Sequence, residues 1–139
     1  MSALHTPVDQ LTRLVNKRLH LGVCGSVACC RAADLLRAWR ALDLHVSVTL
    51  TPGARQFVTP LLFAALGAAP VYTDMFTPGE DVFAHLEPGQ HAHALVVAPA
   101  SADALARLAH GAANDMLAAQ ALVADGVDVI VAVATPTAA

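Results

Sequence analysis

Lysine is almost missing from this 139-residue chain: Lys17 is its single example. With a formal net charge of -3 there is no basic stripe for neutralising the phosphates of a nucleic acid. Charge of either sign is scarce, at 14% of residues where roughly 25% is usual for a soluble domain. So apolar a chain either enters a membrane or buries extra surface against copies of itself. Long hydrophobic runs are lacking too. The apolar segments are about six to eight residues long and end in Gly, Pro or polar turns, far short of the roughly 20 that span a bilayer. Assembly into a homo-oligomer is therefore expected, with no membrane partner. Cysteine is too sparse for a disulfide framework. Cys24, Cys29 and Cys30 are an odd number with two adjacent, which reads as free thiols in a reducing, cytoplasmic setting. The stretch "RLVNKRLHLGVCGSVACC" imitates a secretory signal, but His20 interrupts its apolar run and no small-x-small pattern precedes Arg31.

What is present is an alternation of helix and strand patterns. Val8, Leu11, Leu14 and Val15 fall at helical spacing, predicting a helix over 7–18 within an N-terminal extension of residues 1–18. "LHLGVC" (19–24) and "LHVSVTL" (44–50) read as strands around a helix over 25–42 that Ser26 can cap. Thr51-Pro52 and Thr59-Pro60 are helix-start signals and predict short helices over 52–57 and 60–67. Residues 71–90 carry turn residues throughout and read as a long loop. A third strand over 93–100, helices over 101–110 and 114–124, and a fourth strand over 127–134 complete the pattern. Continuous apolar strands alternating with helices predict an α/β fold: a doubly wound, Rossmann-like or flavodoxin-like open parallel sheet with helices on both faces. Ligands in such sheets lie at the carboxyl ends of strands, which selects Cys24–Ala28, Leu50–Phe57, Ala98–Asp103 and Ala132–Thr137.

The first of these places, "GVCGSVA", is neither G-x-G-x-x-G nor a P-loop, because position 24 is Cys and no Gly-Lys-Ser/Thr occurs. Gly25-Ser26 nevertheless opens a helix after a strand, a seat for one phosphate, or simply a capped helix that binds nothing. His85, His91 and His93 could suggest a metal site, but Pro88-Gly89 lies between them and argues against one rigid element; no metal is expected.

Taken in order, "GVCGSVA", "FVTPLLFAALGAAPVYTDMF", "HLE", "PASADA" and "LAHGAANDML" resemble the homo-oligomeric flavin-containing cysteine decarboxylase family over residues 19 to 134. The resemblance implies a flavin-binding domain over 19–139 holding FMN. By that resemblance Gly25, Ser26 and Val27 would take the phosphate end, and Thr51, Gly53 and Phe57 the phosphate, ribityl chain and ring edge. Ala100, Ser101, Ala102 and Asp103 would lie along the isoalloxazine. His85 matches the family's active-site histidine, whose pKa near working pH suits charge relay. Asn114 and Asp115 would reach the substrate of a neighbouring subunit; otherwise Asp115 is simply a favourable charge at a helix N-terminus. The implied reaction is oxidation of a cysteinyl thiol followed by loss of CO2 from a small thiol-carboxylate such as phosphopantothenoylcysteine. The implied assembly is a trimer or dodecamer with flavin near the subunit interfaces.

The chain departs from the family pattern at Asp103 and Ala104, where the family has Asn-Thr. A carboxylate at 103 facing the ring would disfavour an anionic reduced flavin. "VIVAVATPTAA" also puts Val133, Thr135 and Pro136 where the family's P-x-M-N-x-x-M-W clamp would have its proline, methionine and asparagine. Proline offers no donor to a carboxylate. The alternative is thus a non-decarboxylating flavoprotein with a redox, storage or regulatory role. The related flavin prenyltransferases fit less well, because they need basic side chains for a second phosphate and Arg55 and Arg107 are the only arginines beyond Arg40.

Overall fold

A computed structural model describes residues 16–75, 83 and 86–134. The β-strands are β1 (Arg18–Val23), β2 (His45–Leu50), β3 (Val71–Tyr72), β4 (Ala94–Ala100) and β5 (Asp128–Val133). The α-helices are α1 (Cys30–Ala41), α2 (Pro60–Ala65), α3 (Glu87–His91), α4 (Ala102–His110) and α5 (Met116–Leu122). Every strand pairing is parallel, in the order β3-β2-β1-β4-β5. Parallel strands need crossover connections, so helices are carried onto the sheet's faces. This is the expected doubly wound α/β architecture.

The two faces follow from the period-two alternation along each strand. On one face Leu21, Val23, Val46, Val48 and Leu50 pack with Leu36 of α1 and Phe63 of α2 into a wholly apolar core. On the other, Leu95 and Val97 of β4 meet Leu117 of α5, together with Ala104 and Cys24. Gly22 lets α5 approach: a Cβ there would lie 2.4 Å from a Leu117 methyl carbon.

Polar groups are also buried on that second face. His20, fully buried, has Nδ1 2.6 Å from Ser47 Oγ and Nε2 2.8 Å from Thr49 Oγ1. Thr49 donates to Gln120 Oε1 at 2.7 Å, and His20 Nε2 lies 3.1 Å from that oxygen. Burial holds the His20 pKa down at about 3, with the Gln120 hydrogen bond opposing the shift. The imidazole is therefore neutral in the folded protein at ordinary pH.

Several expected boundaries move. The 71–90 segment is not a continuous loop: β3 adds a fifth strand beside β2, and α3 occupies 87–91. A two-residue strand has no period to read. Pro88 sits in the first turn of α3, where its missing N–H costs nothing. Gly89 is required there, because a Cβ would lie 2.1 Å from the Gln120 carbonyl oxygen. The helix expected over 52–57 is a 3-10 turn at Ala54–Gln56. The helix expected over 7–18 lies outside the described residues up to 15, and Arg18, assigned to that extension, opens β1.

Candidate functional site

The strand order turns round at β1, whose neighbours β2 and β4 are reached by chain running in opposite directions across the sheet. Loops leaving such a point diverge and open a crevice at the carboxyl edge. A cavity of about 270 Å³ lies there, lined by Cys24, Gly25, Thr51, Pro52, Gly53, Ser101, Asp103, Ala104, Arg107 and Asp115. Three of the four segments selected by strand ends thus meet at one place.

The loops are tied together by backbone hydrogen bonds. Cys24 N–H donates to the Pro99 carbonyl and Thr51 N–H to the Val23 carbonyl, both at 3.1 Å. Gly25 and Gly53 press backbone against backbone. A Cβ on Gly25 would sit 2.8 Å from the Gly53 carbonyl carbon, so only glycine fits. Hydroxyls then start each following turn. Ser26 accepts from Ala28 N–H at 3.2 Å, Thr51 from Ala54 N–H at 3.3 Å, and Ser101 from Ala104 N–H at 3.1 Å. The second threonine of the Thr-Pro pairs, Thr59, occupies the N-cap of α2 without a side-chain cap bond.

Charge in the cavity is concentrated on one guanidinium. Arg107 pairs with Asp103 at 2.7 Å and with Asp115 at 2.5 Å. Asp115 is the N-cap of α5 and accepts from Ala118 N–H at 2.7 Å through its other oxygen. Burial pushes the Cys24 thiol up, a hydrogen bond from the Ser101 backbone opposing it, so the group stays protonated rather than acting as a nucleophile.

Of the residues singled out in the sequence, Gly25, Thr51, Gly53, Ser101, Asp103 and Asp115 line this cavity. Ser26 caps the turn beside it, and Ala100 is buried under it at the end of β4. Val27 and Phe57 stand 76% and 56% exposed, while Ala102 and Asn114 are exposed and outside the lining. His85 lies outside the described residues. Asp103 does not stand as a lone carboxylate over the crevice, because Arg107 holds it. Arg107 itself went unselected, although its i,i+4 spacing from Asp103 was a readable pairing signal.

A groove of about 320 Å³ between α4, α5 and β5 is larger, but Arg107 is the sole charged residue in an otherwise apolar lining. It has none of the paired glycines and capped turns of the crevice. Among the described residues no three His, Cys, Asp or Glu side chains gather to hold a metal. His93 Nδ1 instead accepts from Arg18 N–H at 2.9 Å. No described helix is long and apolar enough to cross a membrane.

Comparison with known proteins bears on this crevice. The Flavoprotein family model matches residues 8–139. The coenzyme A biosynthesis bifunctional protein CoaBC of Haemophilus influenzae is 39% identical over 106 residues, covering 76% of this chain and 26% of that protein. A probable phosphopantothenoylcysteine decarboxylase of Streptococcus mutans is 38% identical over 109 residues, covering 78% of this chain and 61% of that one. The chain therefore spans about a quarter of the first relative and under two thirds of the second. Among solved structures, the FMN-dependent cysteine decarboxylase SpaF superposes with a TM-score of 0.78 at 31% identity, covering 89% of this chain and 71% of SpaF. HAL3 of Cryptococcus neoformans gives 0.73 at 26% identity, covering 84% and 69%.

Proposed function

The chain belongs to the flavoprotein family, and on that premise we propose that it binds FMN and decarboxylates a small cysteine-derived carboxylate. The observation that carries the reading is the contact between Gly25 and Gly53 at the sheet's turning point. Two bare backbones floor the crevice there, with capped turns on either side. Such a floor suits a flat ring with a phosphate tail: small residues admit the ring, and main-chain N–H groups serve its polar edge. Gly25, Ser26 and Val27 would take the phosphate, with Thr51, Gly53 and Phe57 beside it. Ala100, Ser101, Ala102 and Asp103 would border the ring. A bound flavin supplies the two-electron oxidation of a thiol. His85, on the strength of its "HLE" motif alone, is the proposed catalytic histidine. Asn114 and Asp115 are proposed on the substrate side, and Asp115 lines its own chain's crevice. Exposed Val27, Phe57 and Leu61 sit on the segments that follow the crevice strands, which supports a homo-oligomer with flavin near its interfaces.

The reading is tested by adding FMN to flavin-free protein and following the visible spectrum. Wild type should bind one FMN per chain. Gly25→Ala should bind at least about tenfold more weakly, because its methyl has no room. The holoprotein should then release CO2 from phosphopantothenoylcysteine or a peptide ending in cysteine. A colourless wild type removes the cofactor reading. A yellow protein that neither bleaches nor releases CO2 removes the reaction and leaves a flavin carrier.

A further inference from the structure

Resting on that decarboxylase reading, we propose that Arg107 recognises the substrate's carboxylate, which displaces Asp103 from the guanidinium. Arg107 is the one cation among the residues lining the crevice. Arg55, the nearest in sequence to the Thr51–Gly53 loop, pairs instead with Asp74 at 3.5 Å. Among the described residues of this chain, Arg107 is therefore the side-chain charge available to seat an anionic group in the crevice.

The two carboxylates on Arg107 are held very differently. The Asp115 side chain is only 12% exposed and is fixed twice, by Arg107 and by Ala118 N–H. The Asp103 side chain is 72% exposed and makes an i,i+4 pair on a helix surface, a class of contact that contributes little. Asp115 thus anchors the guanidinium while Asp103 occupies its other edge reversibly. The planar fork of arginine suits a second carboxylate in that place.

Charge balance favours an exchange over simple addition. One guanidinium with two carboxylates leaves the resting cluster at -1, so an added anion would be repelled. Replacing Asp103 by the ligand's carboxylate keeps two carboxylates on the guanidinium while Asp103 turns to water. A ligand without a carboxylate cannot make the exchange. The pair is thereby a discriminator for acyl-cysteines over acyl-cysteamines.

The experiment compares pantothenoylcysteine with pantetheine, which differ by the carboxylate alone, binding to the full chain with FMN added. Calorimetry should give wild type a preference for pantothenoylcysteine of at least about tenfold, as a charged hydrogen bond supplies. In Arg107→Gln the ratio should fall to near one, and Arg107→Lys should restore part of it. Asp103→Asn should raise the ratio above wild type, because the internal competitor is weakened. A purely structural strut would not give that rise, and this exposed position tests the proposal even if Arg107→Gln fails to fold. No preference in wild type, an unchanged ratio in Arg107→Gln, or a lowered ratio in Asp103→Asn would each overturn the assignment. Loss of FMN from Arg107→Gln with a wild-type ratio would place the guanidinium on the cofactor phosphate, and also overturns it. A colourless wild type would refute the flavin reading while leaving the ligand ratio measurable, so the two failures are separable.

Discussion

Strands β2 and β5, "HVSVTL" and "DVIVAV", are alike in length, yet the one richer in apolar residues is the less covered. β2 runs between β1 and β3. Its Val46, Val48 and Leu50 are buried among Leu36 and Phe63, while Ser47 and Thr49 join the His20 network on the reverse face. Among the described residues β5 pairs with β4 alone, and its Val129, Ile130 and Val133 stand 43%, 54% and 52% exposed. The apolar surplus that marked the composition is thus not spread evenly. It collects along one sheet edge, with further exposed side chains at Val27, Phe57, Leu61, Phe83 and Leu122. An alternating apolar strand reports a wish for cover, and only the topology says whether its own chain supplies it.

The closed half should fail first. Phe63 is fully buried over the β2 face, so Phe63→Ala removes a large side chain from a core with little freedom to collapse. The expected loss is about 3–5 kcal/mol. Urea unfolding of the variant measures it, and a loss below about 1 kcal/mol would mean that this half is no tighter than the open edge.

The next test addresses the polar side of the same strand. The folded pKa of His20 is lowered from 6.5 to about 3, so below pH 6.5 the unfolded chain takes up a proton that the folded protein refuses. Stability from this group is fully present above pH 6.5 and is lost as pH falls toward 3, by roughly 5 kcal/mol at most. Unfolding free energy measured from pH 7 to pH 4 should fall with a slope approaching one proton. His20→Gln should lower stability at pH 7 but flatten that slope. An equally steep slope in the variant would assign the acid sensitivity elsewhere.

This contrast also marks how much could be read from sequence. β1, β2, β4 and β5 and the flanking helices carry clear periodicity, and the carboxyl ends of those strands name the places where a crevice can lie. Strand-end reasoning then brings Gly25, Thr51, Gly53, Ser101 and Asp103 to a single cavity, where Asp115, named through the family resemblance, joins them. β3 escaped because two residues carry no pattern, and α3 because Pro88-Gly89 resembles a turn when its neighbour Gln120 is unknown. His20 looked like an interruption in an apolar run; its reason is Gln120, a hundred positions away. Arg107 was missed because its two partners become partners of one group only once α4 and α5 meet. Local chemistry was legible, and what required two distant elements was not.

The smallest expected effect lies on the open strand and sharpens the contrast most. Ile130→Thr keeps a β-branched side chain, so strand preference is retained, and it removes apolar surface that one chain leaves half in water. Within a single chain the stability change should stay inside about 0.5 kcal/mol, as for surface positions generally. Unfolding should therefore be followed over a hundredfold range of protein concentration. At the dilute end the variant should match wild type. If copies of the chain cover β5, the penalty should grow with concentration, because association stabilises only the form it binds. A loss above about 2 kcal/mol in dilute protein would instead place Ile130 under cover within its own chain and erase the distinction between the two strands.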